Sequence, residues 1–364
     1  MNTRLGAFGR QESASTVILA TFSSGCFAFD NRVQFEHGNA SYWTYFFAML
    51  LSLLLFEATV SAIKRRGGRD LSTLIGASGI KAVLVVPLLL ALLLGAVQPQ
   101  AQFLLTVTQY VFVEAKQTSV SLYVLPCFLL LTALGAETIV RTSRLFLPML
   151  CLSLFAALAL ALPQYRAYRL FPMPITAPLS LTLECVQTLF RTFLPLLALL
   201  CIGEGTQNLD AMRFSGRLGT LIGGGLTVLA LLGLSLTFSY ANLRDMPSPF
   251  YRLLVEVRTE NPTMRLDRAT LFLWMAISLL SSAFYLYAGS VLLMKTFGVR
   301  DVRPVAFLLS ALAVTLMLVL YYDSETTHAV LRALYRFGWT LAVLPTPLLW
   351  IRTERRKRSC VCAS

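Results

Sequence analysis

The chain has little charge. Asp, Glu, Lys and Arg make up 13% of its 364 residues, against about 25% in soluble domains, too few to cover a water-facing surface. Histidine is nearly absent: only His37 and His328 occur, both in segments read as loops. No metalloprotease, nucleophile-elbow or phosphate-loop pattern is present. These absences argue against an enzyme, so no catalytic residue, metal ligand or cofactor is assigned. The apolar runs read as spans one, three, five and eight contain no secure mid-membrane acid. Concentrative proton pumping, which usually places Asp, Glu or His in the pathway, is therefore disfavoured. No segment has the polar composition of a second domain, and no cleavable signal sequence is expected before the first run. The expectation is one permease domain over 1–364, embedded over about 14–351, with a basic tail at 352–364.

What is present is hydrophobic. Residues of that class form 56% of the chain, gathered into ten runs at 14–29, 41–63, 79–97, 120–137, 144–163, 182–203, 218–240, 269–294, 304–322 and 334–351. Most are close to the ~20 residues that cross a bilayer as a helix, the structure in which a segment satisfies its own backbone. The class is thus an all-α integral membrane protein of ten transmembrane helices. Arg and Lys number 17 on the side holding both termini and 11 on the other, which favours cytoplasmic termini. The net charge of +13 is read as orientation and contact with anionic lipid, not as nucleic-acid binding. Cys26, Cys127, Cys151, Cys185 and Cys201 are read as small buried hydrophobes, and Cys360 and Cys362 carry no zinc or prenylation pattern. Two connections are more than loops. Phe103 to Val113 extends the third run, and Pro247 to Arg268 reads as a helix-bearing loop with Asp267 as cap of the next helix.

Polar interruptions mark candidate function. The short first run holds Ser23-Ser24-Gly25, and the sixth holds Arg191 and then Pro195. Interruptions at matching places in two halves of five point to broken helices 1 and 6 and a transporter-type site, or else to helix packing of the kind expected at Gly219-xxx-Gly223. Ser278, Ser281, Ser282 and Tyr285 share one face of the eighth run, lining a polar cavity or bonding a neighbouring helix. Arg191 has three readings: a clamp on a ligand carboxylate, a partner of Glu184 two turns away, or a side chain snorkelling outward. Glu57 is read as a peripheral ion pair near Lys64-Arg65-Arg66, with Arg191 as an alternative partner. Glu137 and Arg141, four apart, read as a structural pair.

Gly135-Ala-Glu137-Thr-Ile-Val-Arg141, then Arg144-Leu-Phe-Leu-Pro148, then Arg265-Leu-Asp267 with Trp274, then Lys295-Thr-Phe-Gly298 carry a resemblance. In order and spacing the chain resembles the spore germination permeases, the GerAB-type B subunits of nutrient germinant receptors, within the amino acid/polyamine/organocation transporters. The resemblance implies a 5+5 inverted-repeat fold with an amino-acid-sized pocket between spans one, three, six and eight. Its pocket positions fall on Ser23 to Gly25, Leu194, Pro195, Ser281 and Tyr285, with Leu94 and Gln98 suggested for span three. It also implies a place in the spore inner membrane and two partners, an A-type membrane subunit and a C-type lipoprotein. The first run departs from the family pattern, having one glycine and no proline, and Pro195 stands where a small residue is expected.

Overall fold

The computed structural model of the chain describes residues 8–27, 39, 41–76, 81–111, 117–171, 178–206, 208–246, 248–260 and 266–322, with scattered positions between 329 and 343. Its long helices are α1 (Arg10–Cys26), α2 (Ser41–Arg65), α3 (Lys81–Tyr110), α4 (Gln117–Leu134), α5 (Ala136–Ala161), α6 (Pro178–Cys201), α7 (Leu209–Thr237), α8 (Leu266–Phe297) and α9 (Val302–Tyr322). Shorter helices occupy Leu71–Gly76, Tyr240–Asp245 and Pro249–Glu260. The chain is an integral membrane protein. Among the described residues seven helices, α2, α3 and α5 to α9, are long and apolar enough to cross a bilayer. The expected tenth span, the Asp267 side chain and the Cys360/Cys362 pair lie outside the described residues.

Helix α1 does not reach membrane-crossing length and hydropathy, and its burial explains why. Every residue from Ser13 to Cys26 is buried, so the helix meets protein on all sides and its Ser and Thr residues face no lipid. The outer helices carry the lipid-facing surface instead, with exposed Leu54, Val86, Leu152, Leu308 and Val319. Helix α7 seats α1 through small residues. A Cβ on Gly219 would lie 2.5 Å from Val17 Cβ, and one on Gly223 would lie 2.7 Å from the Ile18 carbonyl oxygen, as expected of a packing motif.

The neighbours of each helix set up the interior. α1 packs on α5, α6, α7 and α8; α2 on α6 and α7; α3 on α6, α8 and α9; α4 on α8 and α9. Polar side chains fasten several of these pairs. Trp274 Nε1 of α8 donates to Ser153 Oγ of α5 at 3.0 Å, and the Ser13 and Ser215 hydroxyls of α1 and α7 meet at 2.6 Å. Gly135 between α4 and α5 and Gly298 after α8 have φ of +87° and +69°, a conformation glycine adopts without a Cβ penalty.

Two readings of the sequence are corrected here. Helix α1 runs unbroken through Ser23, Ser24 and Gly25, closed by the Phe27 amide donating to the Ser23 carbonyl at 2.9 Å. Helix α6 likewise continues through Leu194 and Pro195 to Cys201. Proline removes one amide, here the donor to the Arg191 carbonyl, but the enclosing helices hold the remaining turns and no break follows. Cys127 is also exposed, whereas Cys26 and Cys201 are buried as expected. Other expectations match: α3 continues through Pro99 to Tyr110, the 247–268 segment carries a helix, and Arg141 pairs with Glu137 at 2.5 Å.

Glu57 forms the peripheral ion pair, but with Arg213 and Arg217 of α7 instead of the basic end of its own helix. Arg213 Nε donates to Glu57 Oε2 at 2.5 Å, and Arg217 donates to Oε1. Both arginines are partly exposed, so water screens the pair. Glu57→Gln is expected to cost no more than about 1 kcal/mol, with the difference shrinking at high salt. Denaturation midpoints at two salt concentrations check this; a salt-independent loss several times larger would make the pair a core element.

Candidate solute site between helices one, three, six and eight

Tyr285 sits at the middle of α8, and burial here is complete: every residue from Leu280 to Leu292 is buried. Its hydroxyl lies 2.5 Å from Ser24 Oγ on α1 and donates to the Ala20 carbonyl at 3.2 Å. The two residues are 261 positions apart, and their contact is what joins the first and eighth spans at mid-depth. Gly25 stands where no side chain fits, since a Cβ would come within 2.4 Å of Thr227 Cγ2 and 2.7 Å of the Tyr45 hydroxyl. Tyr45 donates to the Thr21 carbonyl at 3.3 Å.

Hydroxyls in buried helices usually donate to the carbonyl one turn earlier, and many here do: Ser15 to Gln11, Thr188 to Glu184, Ser281 to Ile277. Ser23 and Thr21 do not. Their oxygens are fully buried without a hydrogen-bond partner, a condition that costs about 1–3 kcal/mol per group. Ser23 adjoins the Ser24–Tyr285 contact in sequence, whereas Thr21 lies against Gly223 of α7.

The third span contributes a residue that the sequence reading did not name. Gln98 is buried, but Gln100 makes the link to α8, its Nε2 donating to Ser278 Oγ at 2.7 Å and to Ser282 Oγ at 3.4 Å. Ser282 in turn donates to the Ala96 carbonyl at 2.7 Å. Of the Ser stripe on α8, Ser278 and Ser282 bond α3, whereas Ser281 turns back to its own helix. Leu94 is buried in the same core. Leu194 of α6 packs onto α3 at Gly95, where a Cβ would meet its Cδ2 at 2.0 Å. Pro195 is buried one residue further along the same enclosed stretch.

Arg191 is 4% exposed, which overturns snorkelling: its head does not reach the surface. It engages in polar or electrostatic contact, and its charge acts on Tyr45 of α2. Glu184, two turns away, is buried and engaged too.

Two closures that the sequence did not announce lie along α8 on either side of Tyr285, each about 15 Å away at 1.5 Å per residue. At one end Phe27, just past α1, packs against Phe103 of α3, Trp274 of α8 and Phe250 of the 249–260 helix, at ring separations of 4.7, 5.5 and 6.2 Å. At the other, Lys295 binds Asp70, which precedes the 71–76 helix, and Glu204 after α6, the latter at 2.5 Å. Asp70 is wholly buried and also accepts from the Thr73 amide at 2.9 Å. Ser72 completes the closure by donating to the Cys201 carbonyl at 2.6 Å.

A buried polar centre with a closure at each end is an arrangement suited to holding a small solute away from both solvents. Solved structures carry the same backbone. Crystal structures of two single-substitution variants of the Eremococcus coleocola manganese transporter superpose with a TM-score of 0.59 at 16% identity, covering 94% of this chain and 78% of that one. The chain shares the fold of that protein. The same transporter bound to an aromatic bis-isothiourea substituted compound matches with a TM-score of 0.53 over 92% of this chain. No protein-family model and no curated protein matches the sequence. Among the described residues no group of three or more His, Cys, Asp and Glu side chains is placed to hold a metal ion. At 16% identity the likeness concerns the fold.

Proposed function

We propose that this protein is a small-solute permease whose ligand, of amino-acid size, lodges between α1, α3, α6 and α8 beside the Ser24–Tyr285 contact. The observation that carries the reading is the buried, unpartnered hydroxyl of Ser23 next to Ser24, because a ligand donor or acceptor there would offset the cost of leaving it unmade. Ser23, Ser24, Gly25 and Tyr285 form the centre of the site. Leu194, Pro195 and Ser281 form its walls, and Gln98 and Gln100 lie on α3. Arg191, a buried cation on α6, is the group suited to a ligand carboxylate.

A 5+5 inverted repeat underlies the site in this reading. Helix pairings recur five helices on: α1 on α7 matches α6 on α2, α1 on α8 matches α6 on α3, α4 on α8 matches α9 on α3, and α3 on α4 matches α8 on α9. Alternating access would then open the Phe27 cluster and the Lys295 ion pairs in turn, with ligand shifting the balance between the two states.

The resemblance at Gly135 to Pro148 and Lys295 to Gly298 supports the more specific role of a germinant-receptor B subunit in the spore inner membrane, working beside A-type and C-type partners. Spores with and without this gene, tested against single amino acids and sugars, decide between sensing and plain transport. A nutrient response that deletion abolishes and that Ser281→Leu or Arg191→Ala alters would establish sensing. A response unchanged by deletion for every nutrient would remove that role and leave an ordinary amino acid or small-solute transporter.

A further inference from the structure

We propose that a cavity at the end of the bundle opposite the α1 N-terminus binds an oxyanion, a phosphate or carboxylate group. The cavity, of about 570 Å³, lies between the turn after α5, the end of α7 and the 249–260 helix. That volume falls within the ~300–1,000 Å³ of small-molecule sites. Arg166, Arg169 and Arg252 line it together with Gln164, Ser239 and Asn242, and none of its described lining residues is acidic.

Three guanidiniums that stay charged at any accessible pH repel one another across this space. An anion held among them converts that repulsion into attraction, and the planar fork of arginine suits paired oxyanion oxygens. The walls are fixed before any ligand arrives. The Arg166 amide donates to the Leu236 carbonyl at 3.0 Å, tying the turn to the last residues of α7. The Arg169 guanidinium donates to the Gln164 carbonyl at 3.3 Å and to the Thr237 carbonyl, which orients it and leaves its other N–H groups for a ligand. The Arg252 amide donates to the Ser248 carbonyl at 3.1 Å, and the Ser248 hydroxyl meets that of Thr106 on α3.

Lipid headgroups and free solutes both supply such an oxyanion. The site is separate from the Ser24–Tyr285 centre and does not depend on what that centre holds.

The test uses the full chain as wild type and as the R166Q/R252Q double variant, whose substituted side chains are exposed. In nanodiscs of phosphatidylcholine alone, sn-glycerol 3-phosphate is titrated calorimetrically at constant ionic strength. In nanodiscs containing phosphatidylglycerol, lipid retained on the protein is counted by native mass spectrometry. We expect a tenfold or greater weakening in the double variant in at least one of these, the calorimetric loss marking a free solute and the retention loss a headgroup. Equal behaviour of wild type and R166Q/R252Q in both measurements, or no binding in either, would overturn the proposal.

Discussion

Lys295→Met is expected to lower stability by about 3–5 kcal/mol, the loss seen when one member of a buried ion pair is removed and the other stays charged. Asp70 is the reason. Its side chain has no exposure, and the Thr73 amide and hydroxyl and the Ser72 hydroxyl that remain on it are neutral donors that do not cancel its charge. Glu204 is 39% exposed in its side chain and water replaces its partner at little cost. The double variant Asp70→Asn with Lys295→Met should recover much of the loss, because it leaves no uncompensated charge behind. Unfolding titrations in detergent give both numbers. A loss under about 1 kcal/mol for Lys295→Met would show that the closure at this end does not rest on the pair.

Gly223→Val is expected to push α1 off α7, at a cost of about 1–3 kcal/mol or more for overpacking. A Cβ at this position meets backbone, 2.7 Å from the Ile18 carbonyl oxygen and 3.0 Å from Ile18 Cα, so no rotamer change relieves it. Gly225, two residues along the same helix, has nothing within 4 Å of the place a Cβ would take, and Gly225→Val should be close to neutral. The pair separates a steric effect from the general effect of replacing glycine in a helix. Because Ser23 and Ser24 ride on α1, Gly223→Val should weaken ligand binding as well as stability. Equal midpoints for the two variants would refute the close approach of α1 and α7.

Most of the helices were legible because a bilayer leaves a chain few alternatives. The lengths of the apolar runs locate α2, α3 and α5 to α9. The polar content of the first run was legible too, but its cause was not. Ser and Thr in α1 mark a helix enclosed by protein, and enclosure depends on distant segments that composition does not reveal. The same enclosure keeps α6 helical at Pro195. The resemblance put Ser24 and Tyr285 in one pocket, and their hydroxyls lie 2.5 Å apart. Gln100 was not singled out beside Gln98, because two residues along a helix turn the side chain by about 200° and the sequence does not say which face meets α8. Lys295 is 225 residues from Asp70 and 91 from Glu204, and the Phe27 cluster spans four elements. Nothing local in the sequence announces either closure.

Equilibrium binding of labelled amino acids to the purified protein, compared among wild type, Ser23→Ala and Tyr285→Phe, tests the central claim most directly. The site between α1, α3, α6 and α8 predicts saturable binding of at least one amino acid, weakened tenfold or more by one or both substitutions. No binding of any amino acid, or binding that neither substitution changes, would contradict it.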